Sequence, residues 1–178
     1  GCLRSGLWPI VKASFGTAIL EVITGQQGYN MRAHQLMESI TYYHGSMEEL
    51  PVGTILTPRD NYEANWSNTD FYTILEYYRP VGMASHKTSV FMVADEDDID
   101  LAGGGTDWFF IVQPMGKIEK HDLNWSSEIS MLSSDGYKKD SDEIKQAAMH
   151  YWNGTAHYNE SVWEFLAPKA KILHVEEY

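Results

Sequence analysis

The chain has 178 residues, 43% of them hydrophobic, and a mean hydropathy of −0.36, which suits one soluble domain of ordinary size with a real core. Acidic residues outnumber basic ones 25 to 13, and the net charge of −12 disfavours non-specific binding to nucleic acid or to anionic membranes. The lone cysteine, Cys2, excludes an internal disulfide and fits a reducing, cytoplasmic compartment, and no apolar run reaches the roughly 18 residues that span a bilayer.

Residues 1–38 read as an N-terminal helical extension. Pro9 suits a first turn, Val11, Phe15, Ala18 and Val22 recur at helical spacing, and Gly25 ends the run. Residues 39–178 have a mixed, α+β texture. Ile40 to Tyr43 predicts a short strand that runs into a tight turn at His44-Gly45-Ser46. Leu50 to Pro58 reads as a turn, a brief strand and a proline stop. Thr69-Asp70 can cap a helix through Tyr78, closed by Pro80. Val90 to Val93 is an apolar run of buried-strand length, and the acidic stretch Asp95 to Asp100 suits a solvated helix start. Trp108 to Val112 is the strongest strand signal, resuming at Lys117 to Glu119. Residues 122–140 look like loop. Ser141 then caps a helix from Asp142 to Tyr151, stopped by Asn153-Gly154. Val162 to Leu166 and Lys171 to Val175 read as two final strands around Pro168.

Chemistry has few places to reside. The seven histidines, His34, His44, His86, His121, His150, His157 and His174, form no HExxH and have no CxxC companion, so no metal site is expected. A GxSxG elbow and a phosphate loop are both missing. What remains is a scattered constellation: His44 at a strand end beside Gly45, Phe91 inside a second strand, and the carboxylates Asp122, Glu160 and Glu164 after later strands. Carboxylates facing a histidine and an aromatic wall suit stabilisation of a developing cation, such as a sugar oxocarbenium. Taken singly, an acid of this kind is more often a solvated surface residue.

The order of these blocks resembles the ADP-ribosyltransferase superfamily, most closely the small rifamycin-modifying type. Tyr43-His44-Gly45-Ser46 followed by Leu50-Pro51-Val52-Gly53-Thr54-Ile55-Leu56-Thr57-Pro58 is similar to the family's His-Gly-Thr and its Gly-Asp-Leu-Leu-x-Pro turn. Val90-Phe91-Met92-Val93-Ala94 resembles a strand that usually reads Val-Tyr-Phe-Thr-Ala. Phe110-Ile111-Val112-Gln113-Pro114-Met115-Gly116-Lys117-Ile118-Glu119 resembles the family's Ile-Tyr-Ile-Val-Glu-Pro-Thr-Gly-Pro-Ile-Glu, and Asp122-Leu123-Asn124 its closing Asp-Pro-Asn.

The resemblance implies an ADP-ribosyltransferase-like fold, two small antiparallel sheets around an NAD cleft, with no metal. By motif, His44 would bond the NAD ribose, Gly45 and Ser46 would hold the nicotinamide end, and Phe91 would stack on the nicotinamide ring. Asp122 would be the acid. Glu160, in a Tyr-Asn-Glu like that of poly-ADP-ribose polymerases, ranks second. Glu164, in a Glu-Phe-Leu-Ala-Pro like the Glu-Val-Leu-x-Pro of arginine-specific transferases, ranks third. The expected activity is NAD-dependent transfer of ADP-ribose to an acceptor with release of nicotinamide. A protein side chain is the preferred acceptor and a small molecule the alternative. Two departures matter: phenylalanine replaces the family's strand tyrosine, and the stretch from Asp122 to Trp163 is longer than in the antibiotic-modifying enzymes. The first keeps open a non-catalytic binding module of the same fold, and the second argues against an antibiotic as the acceptor. An NAD glycohydrolase, with water as acceptor, is a third reading.

Overall fold

The aromatic and β-branched run Trp108–Met115 forms β4, around which the sheet is built. The computed structural model describes residues 40–60, 69–101 and 105–177. All of them belong to one compact unit, Ser39–Tyr178. The helical extension expected over residues 1–38 lies outside the described residues.

On either side of β4 run β1 (Tyr42–Ser46) and β7 (Lys169–Glu177). The other strands are β2 (Ile55–Leu56), β3 (Val90–Val93), β5 (Glu119–Asp122) and β6 (Trp163–Ala167). The order is β2-β7-β4-β1-β3-β6-β5, with every ladder antiparallel. The protein is therefore α+β with one seven-stranded sheet, where two small sheets were expected. The sheet is narrowest in its middle: β1 and β3 are joined by the single pair Tyr43↔Val93, whereas β1 and β4 share five pairs. Beyond Tyr43 the two strands part. There the His44 ring spans the gap, its Nδ1 lying 2.7 Å from the Phe91 carbonyl oxygen.

The chain crosses between the halves β2-β7-β4-β1 and β3-β6-β5 twice near one corner, from β4 to β5 through Gly116 and from β6 to β7 through Pro168. Gly116 has φ +93°, and a Cβ there would stand 2.7 Å from the Pro168 ring. Only glycine meets both demands. The expected turn at His44-Gly45-Ser46 is corrected: all three lie inside β1, opposite Phe110, Phe109 and Trp108. The turn follows them, and Ser46 closes it, its hydroxyl donating to the Glu48 carbonyl and accepting from the Glu48 amide.

Three helices occur among the described residues: α1 (Asp70–Tyr78), α2 (Asn124–Ser134) and α3 (Asp142–Trp152). α2 lies where a loop was expected. Its Trp125 and Ile129 join Ile74 and Leu75 of α1 and Ile144, Ala148 and Tyr151 of α3 in one apolar cluster. Ser130 and Ser134 fit within the helix because each hydroxyl donates to the carbonyl four residues back. α3 begins as expected, with the Ser141 Oγ accepting from the Ile144 amide. The acidic stretch forms a short 3-10 turn, Glu96–Asp98, with the Asp95 side chain accepting from the Asp97 amide. Among the described residues no helix is long and apolar enough to cross a membrane.

Candidate functional site

A cleft of about 580 Å³ opens where β1 and β3 part. Tyr43 to Ser46 form one wall and Val90 to Val93 the facing one. Phe71 and Leu75 of α1, the α2 serines Ser126, Ser127 and Ser130, Arg59, His86 and Glu164 complete it. Its volume suits a drug-sized or dinucleotide-fragment ligand.

His44 is fixed by the Phe91 carbonyl. A carbonyl only accepts, so Nδ1 carries hydrogen and the neutral ring keeps Nε2 as its acceptor. Burial pushes the imidazole below its usual pKa, although the Phe91 bond pulls the other way. The ring stays neutral near pH 7, with the tautomer set. Phe91 lines the same cleft, backed by the His86 ring, nearly parallel at 5.9 Å and 14°.

The three candidate acids separate cleanly. Asp122 is fully buried and does not line the cleft. Its Oδ1 accepts from the Asn124 amide at 3.1 Å and the Val162 amide at 3.2 Å, and its Oδ2 from the His157 amide at 2.8 Å. It fastens the start of α2 and the segment entering β6. Glu160 is exposed and does not line the cleft; its backbone carbonyl accepts from Asn124 Nδ2. Glu164, ranked third in sequence, is the acid that lines the cleft. It is 2% exposed, paired with Val93 of β3 and His121 of β5. Burial raises its pKa; the His86 charge and the Tyr151 hydroxyl lower it, and Asp122 raises it further.

Of the expected binding residues, His44, Gly45, Ser46 and Phe91 all line the cleft, with the Ser46 hydroxyl already committed to its turn. Sequence reasoning missed His86 and Tyr151. The Tyr151 Oη donates to Glu164 Oε1 at 2.6 Å, His86 Nε2 lies 2.7 Å from that same hydroxyl, and His86 Nδ1 lies 2.9 Å from Glu76 Oε1. No local motif marks these residues: His86 and Tyr151 stand 65 positions apart in sequence, and Glu76 and His86 stand 10 apart. Arg59, exposed at the cleft edge, was also unmarked.

Among the described residues no group of three or more His, Cys, Asp or Glu side chains is arranged to hold a metal ion. No family model matches the chain, and no curated protein matches it.

Proposed function

We propose that the protein is an NAD-dependent ADP-ribosyltransferase of the superfamily whose motifs it resembles, with Glu164 as its acid. The observation that carries this reading is the meeting of His44, Phe91 and Glu164 on one cleft, from three strands that the chain brings together across more than a hundred residues. His44 Nε2 accepts from a ribose hydroxyl. Phe91, which lines the cleft, takes the nicotinamide ring by stacking. Arg59 offers a guanidinium to the diphosphate.

The bond between the ribose anomeric carbon and the nicotinamide nitrogen breaks, and nicotinamide leaves with the electron pair. The positive charge left on the ribose faces the Glu164 carboxylate in a partly dry pocket, where a fixed negative charge acts strongly. The acceptor's nucleophile then bonds to that carbon and loses its proton. A protein side chain is the preferred acceptor; the net charge of −12 argues against nucleic acid.

The test follows nicotinamide release from NAD, with and without cell lysate, alongside the NAD-induced thermal shift. Release with lysate labelling is expected. Glu164→Gln should lower release by about 10²–10³-fold, and His44→Ala should abolish NAD binding. Release without any labelling would assign a glycohydrolase. A thermal shift without release would assign a binding module, and neither signal would end the NAD reading.

A further inference from the structure

We infer that His86 and Tyr151 form a proton relay that sets the charge of the Glu164 carboxyl facing the cleft, with Glu76 holding the relay's outer end. The inference deepens the role given to Glu164 above and rests on that reading for its catalytic consequence only.

The geometry is an unbroken line of four side chains: Glu76 to His86 at 2.9 Å, His86 to Tyr151 at 2.7 Å and Tyr151 to Glu164 at 2.6 Å. Its inner end is buried in the cleft and its outer end is 20% exposed. Glu76 accepts from the Ser85 hydroxyl, the His86 amide and Arg79 Nε besides the His86 ring. Four donors make it a committed carboxylate, so His86 Nδ1 carries hydrogen.

Counting hydrogens settles the inner part. The contacts on either side of the Tyr151 oxygen each need one hydrogen, and the phenol supplies one. The second belongs either to Glu164 or to His86. With it on Glu164, the pair is a neutral acid and a neutral imidazole. With it on His86, the pair is a carboxylate and an imidazolium clamped by Glu76. One converts to the other by two short hops: the Glu164 O–H bond breaks as a Tyr151 O–H bond forms, while the tyrosine's own proton passes to His86 Nε2. No net charge moves in or out.

The neighbours bias this balance. Burial of Glu164 and the charge of Asp122 on β5 favour the neutral pair, and Glu76 on α1 favours the ion pair. His121 of β5 stacks on Tyr151 and donates Nδ1–H to the Tyr151 carbonyl, and Tyr72 of α1 meets His86 edge-on. Val93, opposite Glu164 on β3, carries no titratable group. A cation in the cleft draws the proton outward to His86 and leaves Glu164 ionised against it. His86 and Tyr151 are thus positioning residues that act through Glu164.

The test is a ¹³C-carboxyl NMR titration of the glutamate-labelled full chain, with the Glu164 signal identified by its loss in Glu164→Gln. His86→Gln keeps a donor toward Tyr151 but removes the cation. Tyr151→Phe keeps the ring on His121 and cuts the relay. Both should raise the pH at which Glu164 titrates by at least about one unit. The acid limb of nicotinamide release should move upward with it, which a merely structural residue would not cause. Thermal melts identify a variant that fails to fold, and the other variant then carries the test. An unchanged Glu164 titration in the folded variants overturns the relay. If the wild-type protein releases no nicotinamide at any pH, the transferase reading fails, and the NMR titration still decides the relay.

Discussion

Replacing Asp122 by alanine separates a fastening role from a chemical one. The wild-type carboxylate accepts three backbone N–H groups, from Asn124, Val162 and His157. Alanine leaves all three without a partner and opens a small void in a site with no solvent exposure. Bonds to a charged acceptor contribute about 1.5–3 kcal/mol each. Because the three donors are only part-buried, the low end applies, and the loss comes to about 4–5 kcal/mol. With a urea dependence of about 1.5–2 kcal/mol/M, the unfolding midpoint should fall by about 2–3 M. Asp122→Asn should lose less, because one oxygen still accepts while the new NH₂ opposes a donor. The assay is urea unfolding followed by tryptophan fluorescence, paired with nicotinamide release from the fraction that remains folded. Folded Asp122→Ala should retain release, in contrast to Glu164→Gln. An Asp122→Ala protein as stable as wild type yet inactive would refute the reasoning and return the acid's role to Asp122.

Gly116→Ala should cost about 2–4 kcal/mol in urea unfolding, from the strained backbone and the clash with Pro168 together; an unchanged midpoint would show that the corner is looser than described. Burial raises the pKa of Glu76, but hydrogen bonds from His86 and Arg79 outweigh it and hold the group at about 2, against 4.5 unperturbed. Its folded-state pKa is depressed, so its stabilisation is present above pH 4.5 and lost as the pH falls toward 2. Glu76→Gln should therefore be less stable at pH 7 by about 2 kcal/mol, after allowance for screening at its partly exposed carboxylate, with the two stability curves converging in acid. Burial likewise holds His44 and His121 below their usual pKa, so the unfolded chain takes up protons first as the pH drops below 6.5, and stability falls there. His121→Asn, whose amide can still donate to the Tyr151 carbonyl, should lose part of that slope between pH 7 and 5; an identical slope would assign it elsewhere.

Strands and capped helices were legible wherever local chemistry decides them. The Trp108 run, the Val90 run and the Ser141 cap each state their structure within a few residues. α2 was not legible, because its serines look like loop until Trp125 and Ile129 find the other helices and the hydroxyls return to their own helix. Gly45 and Ser46 looked like a turn because glycine usually is one; tertiary pairing with Phe109 and Trp108 overrides that preference. The acids show the same limit. Asp122 sits in the most contiguous motif, yet its partners at Val162 and His157 lie 40 and 35 residues away, and only the folded chain shows that its oxygens are already taken. Glu164 looked the weakest of the three because its company, Tyr151 and His86, is assembled from separate elements.

The strand order bears on how the chain is made. β7 lies between β2 and β4, and β6 between β3 and β5. Among the described residues β2 pairs only with β7 and β5 only with β6, so both wait for strands that come last in the described chain. On a ribosome adding roughly 5–20 residues per second, the segments Ile55–Leu56 and Glu119–Asp122 emerge well before Trp163–Glu177 can complete them. Both edges of the sheet stay open until Trp163–Glu177 has emerged. The nascent chain holds unpaired strands until then, and that interval is when holding chaperones would find it.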